Sequence, residues 1–146
     1  MSSELKVMHL ISRFNSGGTA NWIYTLNKAL IESGIESLVV TGSIESNELE
    51  DARYKEFEYI KLHNLRRKIQ LIKDFRLVFI LRRILKDNQP NILNTHAAKA
   101  GLIGRLASIG LPVKVIHTYH GHLLYGYFNK PISLIFTLVE IGLKKL

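Results

Sequence analysis

Three groups of residues in this chain have types and spacings that can do chemistry. The first is Gly17-Gly18, which follows an apolar run and opens a helical pattern. Glycine lets a ligand come close to the backbone, and a helix N-terminus offers free N–H groups and partial positive charge to a phosphate. The plain alternative is a tight strand-to-helix turn. The glycines are adjacent and no third follows in G-x-G-x-x-G register, so a dinucleotide fingerprint is disfavoured. The second group is His117, His120 and His122. Imidazole binds metals, but no Asp or Glu lies between Lys114 and Lys130, so a metal site is disfavoured. The expected role is one histidine hydrogen-bonding a ligand hydroxyl. The third group is basic. From Arg53 to Asp87 there are eleven Lys/Arg and four Asp/Glu, centred on Arg66-Arg67-Lys68 and Arg82-Arg83. A solvated charged face is the plain reading, and a patch for anionic lipid headgroups or a lipid pyrophosphate is the sharper one. Nucleic acid is disfavoured, because the run lacks interleaved aromatics and any known motif.

The elements that must position these residues alternate. Leu5–Ser12 reads as a buried strand. Thr19 to Ser33 reads as a helix with Ile23, Leu26, Leu30 and Ile31 on one face and Gly34 as its stop. Glu36–Thr41 and Phe57–Leu62 read as strands, with a polar, acidic loop from Gly42 to Asp51 between them. His63 to Lys73 reads as loop. Asp74 reads as an N-cap for a helix with Leu77, Ile80, Leu81, Ile84 and Leu85 on one face and Phe79, Arg82, Arg83 and Lys86 on the other, ended by Pro90. Ile92–Thr95 and Val113–Thr118 complete the strands, around a small-residue helix Ala97–Ile109. Tyr119 to Asn129 reads as loop, and Pro131 opens a last, largely apolar helix whose uncovered face should favour self-association or membrane contact. Such alternation implies right-handed βαβ units and a doubly wound, Rossmann-like, mostly parallel sheet. Ligands bind such sheets at the carboxyl ends of the strands. Gly17-Gly18, His96 and His117–His122 all fall there.

The 146 residues suit one domain. The absence of cysteine excludes disulfide scaffolds, thiolate zinc sites and cysteine nucleophiles, and fits a reducing compartment. A formal net charge of +8 points to an anionic partner. Met1-Ser2-Ser3-Glu4 lacks the pattern of a signal peptide, and no stretch reads as membrane-spanning, so a cytoplasmic protein is expected.

Three segments, in order, resemble family 4 glycosyltransferases with the GT-B fold. Asn15-Ser-Gly-Gly-Thr-Ala-Asn-Trp-Ile is similar to their Gly-Gly loop. Asn94-Thr-His-Ala-Ala-Lys-Ala-Gly-Leu-Ile-Gly-Arg-Leu-Ala is similar to H-T-H-x-x-K-A-G-x-x-G-R-x-A, with Asn94 in place of the more frequent histidine. His117-Thr-Tyr-His-Gly-His with Gly126-Tyr-Phe is similar to H-T-x-H-G-H…G-Y-F. The resemblance implies retaining transfer of a sugar from a nucleotide-sugar donor to a glycan or lipid-linked acceptor, as in bacterial capsule, exopolysaccharide or lipopolysaccharide assembly. It implies that Gly17 and Gly18 approach the donor diphosphate and that His120 is the catalytic histidine at the donor sugar. His96 and Lys99 would line the acceptor side, with no bound metal or other cofactor. It implies that residues 1–146 form an incomplete N-terminal, acceptor-side domain without the donor-binding domain, weak or inactive alone. Work at the inner membrane face is expected as well, with Arg66, Arg67, Lys68, Arg82 and Arg83 of the basic run as the anionic-surface contact. A non-catalytic anion-binding module is the rival reading, and a Rossmann-type nucleotide-binding protein of another chemistry is a third.

Overall fold

The computed structural model describes residues 5–120. The helix expected from Pro131, its apolar face, His122 and Gly126-Tyr-Phe lie outside the described residues. Among the described residues five strands form one all-parallel sheet: β1 (Lys6–Ile11), β2 (Glu36–Thr41), β3 (Tyr59–Lys61), β4 (Ile92–His96) and β5 (Lys114–Thr118). Their order is β3-β2-β1-β4-β5, so β1 is central, as its apolar run predicts. Three helices cross between the strands: α1 (Gly18–Glu32), α2 (Leu71–Asn88) and α3 (Ala98–Ser108). The predicted Rossmann-like α/β class is the observed one.

Alternation along β1 divides the core. Met8 and Leu10 face a cluster with Leu38, Val40, Leu93, Leu77, Leu81, Leu85, Ala100 and Ile103, which packs α2 and α3 on one side of the sheet. Ile11 and Val39 face the other side, against Ala20 and Ile23 of α1 and against Phe14 and Tyr54. His9 shares that second face, two residues before Ile11.

Several helix details differ from expectation. α1 buries Ala20, Ile23 and Asn27, while Ile31 is exposed. Asn27 takes a core position because it hydrogen-bonds the hydroxyl of Ser37, so its amide oxygen is satisfied. α2 starts one turn earlier than predicted, with Gln70 as N-cap. Asp74 still caps it, from inside the first turn: its carboxylate accepts the Gln70 N–H at 2.8 Å. Ile80 is exposed, and the buried stripe of α2 is Leu77, Leu81 and Leu85. β3 is shorter than predicted, and a 3-10 turn at Ala52–Glu56 precedes it.

α3 owes its close fit to glycine. A Cβ at Gly101 would fall 2.4 Å from the His117 ring, and one at Gly104 would fall 2.5 Å from Thr95 Cγ2. The two glycines at i and i+3 let the helix lie on β4 and β5.

Candidate active site at the carboxyl edge

All five strands run the same way, so their carboxyl ends share one edge. Gly17 and Gly18 follow β1 there, His96 ends β4, and His120 follows β5. These are neighbouring strands, about 5 Å apart each. The predicted residues thus come together at one end of the sheet, as the switch-point rule requires.

The Gly-Gly loop is held from one side. Ser16 N–H donates to the Leu49 carbonyl at 2.8 Å, and Asp51 N–H donates to the Phe14 carbonyl at 2.9 Å. Arg13 pairs with Glu48 at 2.7 Å. The acidic loop is therefore structural: Glu50 pairs with Lys61, and Asp51 binds Arg53. These cations hold both carboxyls below their usual range, with Lys61 acting on Glu50 and Arg53 on Asp51.

The loop is open on the other side. A Cβ at Gly17 would meet nothing nearer than the Asn15 carbonyl oxygen at 3.9 Å, and one at Gly18 would meet nothing within 4 Å. Gly17 has φ 161°, which is extended backbone that any residue adopts. Among the described residues, neither space nor conformation demands glycine there. Among the described residues no side chain caps the N-terminus of α1, and its first turn carries no acid. Its N–H groups are therefore available to an outside acceptor.

The histidines form a row that the sequence reading missed in part. His9 lies opposite Asn94 in register, and His96 is two residues further along β4 on the same face. That diagonal brings their rings together, with centroids 5.4 Å apart and His9 Nδ1 3.2 Å from His96 Nε2. His96 Nδ1 is 2.9 Å from His120 Nε2, and those two rings stack at 5.1 Å. His9 and His96 are 0% exposed, and His120 is exposed. Burial depresses the pKa of His9 to about 4. Burial, then the neighbouring His9, His120 and His117, depresses that of His96 to about 2. Burial also lowers that of His120. The row is neutral at physiological pH.

The structure adds surroundings that the sequence does not show. His96 lies beneath the edge and reaches it through His120, because one of its ring nitrogens faces His9 behind it and the other faces His120. Lys99 is 10% exposed; its Nζ pairs with Asp74 at 2.6 Å and donates to the Lys68 carbonyl at 2.7 Å, tying α3 to the start of α2. His117 lies on the α3 side of the sheet, with Nδ1 2.8 Å from Thr95 Oγ1, and serves packing. Arg82 leaves the basic patch: its Nη1 donates to the carbonyls of Ala107 at 3.0 Å and Ile109 at 2.6 Å, at the C-terminal end of α3. Ala97, between His96 and α3, has φ 67° and ψ 159°, a region almost confined to glycine. Among the described residues no three His, Cys, Asp or Glu are grouped to hold a metal, and no helix is long and apolar enough to cross a membrane.

Comparison with known proteins follows the same lines. A stretch of 77 residues is 36% identical to the UDP-Gal:alpha-D-GlcNAc-diphosphoundecaprenol alpha-1,3-galactosyltransferase of Escherichia coli, covering 51% of this chain and 20% of that enzyme. Among solved structures, a lipopolysaccharide outer core galactosyltransferase superposes with TM-score 0.70 at 16% identity, over 90% of this chain and 37% of its own. A UDP-N-acetylglucosamine 2-epimerase superposes with TM-score 0.64 at 18% identity, over 94% of this chain and 40% of its own. The chain therefore spans well under half of these relatives. A fold shared by transferases and an epimerase does not by itself name a reaction. The Glycosyltransferase Family 4 profile matches residues 16–143, most of the sequence, and with the Gly-Gly loop and His120 at one sheet edge the chain belongs to Glycosyltransferase Family 4.

Proposed function

We propose that this chain is the acceptor-side part of a retaining glycosyltransferase of surface polysaccharide synthesis. Sugar passes from a nucleotide-sugar donor to a glycan or lipid-linked acceptor. The observation that supports the reading is the open space at Gly17 and Gly18: glycine stands where no described residue requires it, at a helix N-terminus that no described side chain caps. A diphosphate can approach that backbone closely, and the N–H groups of α1 then stabilise the charge that develops on the leaving nucleoside diphosphate. We assign that stabilisation to the helix rather than to a resident metal. His120 hydrogen-bonds the donor sugar, Gly17 and Gly18 take the diphosphate, and the β4–α3 segment with His96 and Lys99 shapes the acceptor side. The galactosyltransferase relative supports a uridine diphosphate sugar and a lipid-diphosphate acceptor.

A lipid-linked acceptor places the protein at the cytoplasmic face of a membrane. Arg66, Arg67 and Lys68 are exposed beside Ile69, Leu71, Ile72, Phe75 and Phe79, all exposed on or just before the first turns of α2. Cations next to an apolar, aromatic surface fit an anionic bilayer. Arg83 is exposed but shares its charge with Asp87 at 3.8 Å, and Arg82 is committed to α3.

Amide spectra titrated with UDP-galactose and UDP-N-acetylglucosamine into the millimolar range test the donor site. Shifts at Gly17, Gly18 and His120 are expected, and Gly18→Ala should weaken them while leaving stability unchanged or slightly higher. Equal donor binding by Gly18→Ala, or no shift at these residues, refutes the assignment.

A further inference from the structure

His9 Nε2 is buried with no hydrogen-bond partner among the described residues. Its other ring nitrogen faces His96 at 3.2 Å, and His96 faces His120 at 2.9 Å. A neutral imidazole has one N–H and one lone pair. Two linked contacts between three neutral rings can then be made in two ways. In the outward sense, His9 Nδ1–H donates to His96 Nε2, and His96 Nδ1–H donates to His120 Nε2. In the inward sense, His120 Nε2–H donates to His96 Nδ1, and His96 Nε2–H donates to His9 Nδ1.

The two senses differ at both ends of the row. The inward sense leaves an N–H on His9 Nε2, buried with no acceptor. The outward sense leaves a lone pair there. Orphaned buried N–H groups are rarer in folded proteins than under-satisfied acceptors, so the buried end selects the outward sense. A protonated row would escape this count, but burial keeps His9 and His96 neutral at physiological pH. Each ring also polarises the next, which favours one unbroken direction.

We propose that His9, acting through His96, holds His120 as its Nδ1–H tautomer, so that the exposed end of the row offers a hydrogen-bond donor and not a base. Which nitrogen of a histidine carries the proton is set by the bond its other nitrogen makes. The group His120 recognises is then an oxygen acceptor, a hydroxyl or phosphate oxygen. His9 is a positioning residue that touches no ligand. The consequence for sugar recognition rests on the reading of His120 given above; the tautomer does not.

Long-range proton–nitrogen correlation spectra of the ligand-free, nitrogen-15-labelled chain at pH 7.5 test it, with the His120 signals assigned by their loss in His120→Gln. Wild-type His120 should show a protonated Nδ1 and an unprotonated Nε2. His9→Asn keeps an amide N–H near the place of Nδ1 and should preserve that pattern. His96→Phe removes the ring that donates to His120 and should let His120 relax towards the Nε2–H form that histidine prefers in water. An Nε2–H or averaged pattern in wild-type His120 overturns the proposal. So does an unchanged Nδ1–H pattern in folded His96→Phe. Should His96→Phe fail to fold, the wild-type and His9→Asn spectra decide. No nucleotide sugar is present, so the result is independent of whether the donor site is correctly assigned.

Discussion

Lowering the pH from 7.5 to 5 should remove about 4 kcal/mol of folding stability through His9 and His96 alone. Both rings are fully buried and have folded-state pKa values depressed to about 4 and about 2 from an ordinary 6.5. Above pH 6.5 both are neutral whether the chain is folded or not, and titration costs nothing. Below 6.5 the unfolded chain binds two protons that the folded chain refuses. Stability therefore falls with pH, by about 1.4 kcal/mol per unit for each ring. Over the one and a half units down to pH 5 that gives about 2 kcal/mol each, and the figure holds for any folded-state values well below 5. A loss of this size is a large share of the ~5–15 kcal/mol that holds a typical domain. Urea unfolding followed by circular dichroism between pH 5 and 7.5 measures it. The carboxyls of Glu50 and Asp51 are also depressed, but their contribution is present above ordinary carboxylate pKa values and is lost in a more acid window. His9→Asn should about halve the pH slope. An unfolding free energy that is flat from pH 7.5 to 5 would refute the claim that these rings are held neutral by burial.

Three further outcomes follow from single contacts. Gly101→Ala drives a Cβ to 2.4 Å from the His117 ring and should cost about 1–3 kcal/mol by overpacking, read as a shift in urea midpoint. Ala97→Gly should raise stability by about 1 kcal/mol, because the strain of φ 67° and ψ 159° exceeds glycine's entropic cost. Arg82→Ala should lower stability while leaving co-sedimentation with anionic vesicles unchanged, whereas Phe75→Ser with Phe79→Ser should reduce co-sedimentation and leave the fold intact; the reverse pattern would disprove the division of the basic segment.

The order of the elements was legible because apolar runs, glycine stops and proline breaks punctuate the chain in a βα rhythm, and a parallel sheet then fixes which loops meet. The start of α2 was not. Ile69, Leu71 and Ile72 blur the pattern there because they are apolar yet exposed, and Asp74 caps the helix from its fourth residue rather than from its entrance. The fate of the charges was illegible for a related reason: a sequence shows that Arg82 and Lys99 are cations, but their partners are backbone carbonyls or a carboxylate far along the chain. His9 carried a signal that periodicity hides. Leu5–Ser12 reads as a uniform apolar strand, but a central parallel strand is buried on both faces, so a polar side chain within it must find a buried partner. The partner is His96, one diagonal away. The glycines show the same limit from the other side. Gly101 and Gly104 sit in one family motif and Gly17 and Gly18 in another, and all four are the same letter. The structure separates them by what a methyl group would touch: a ring and a threonine in α3, open space in the loop. The family's sequence signature is thus made of two kinds of constraint. One set of glycines brings a helix down onto the strands that carry His96 and His117. The other, at the same carboxyl edge as His120, meets open space among the described residues.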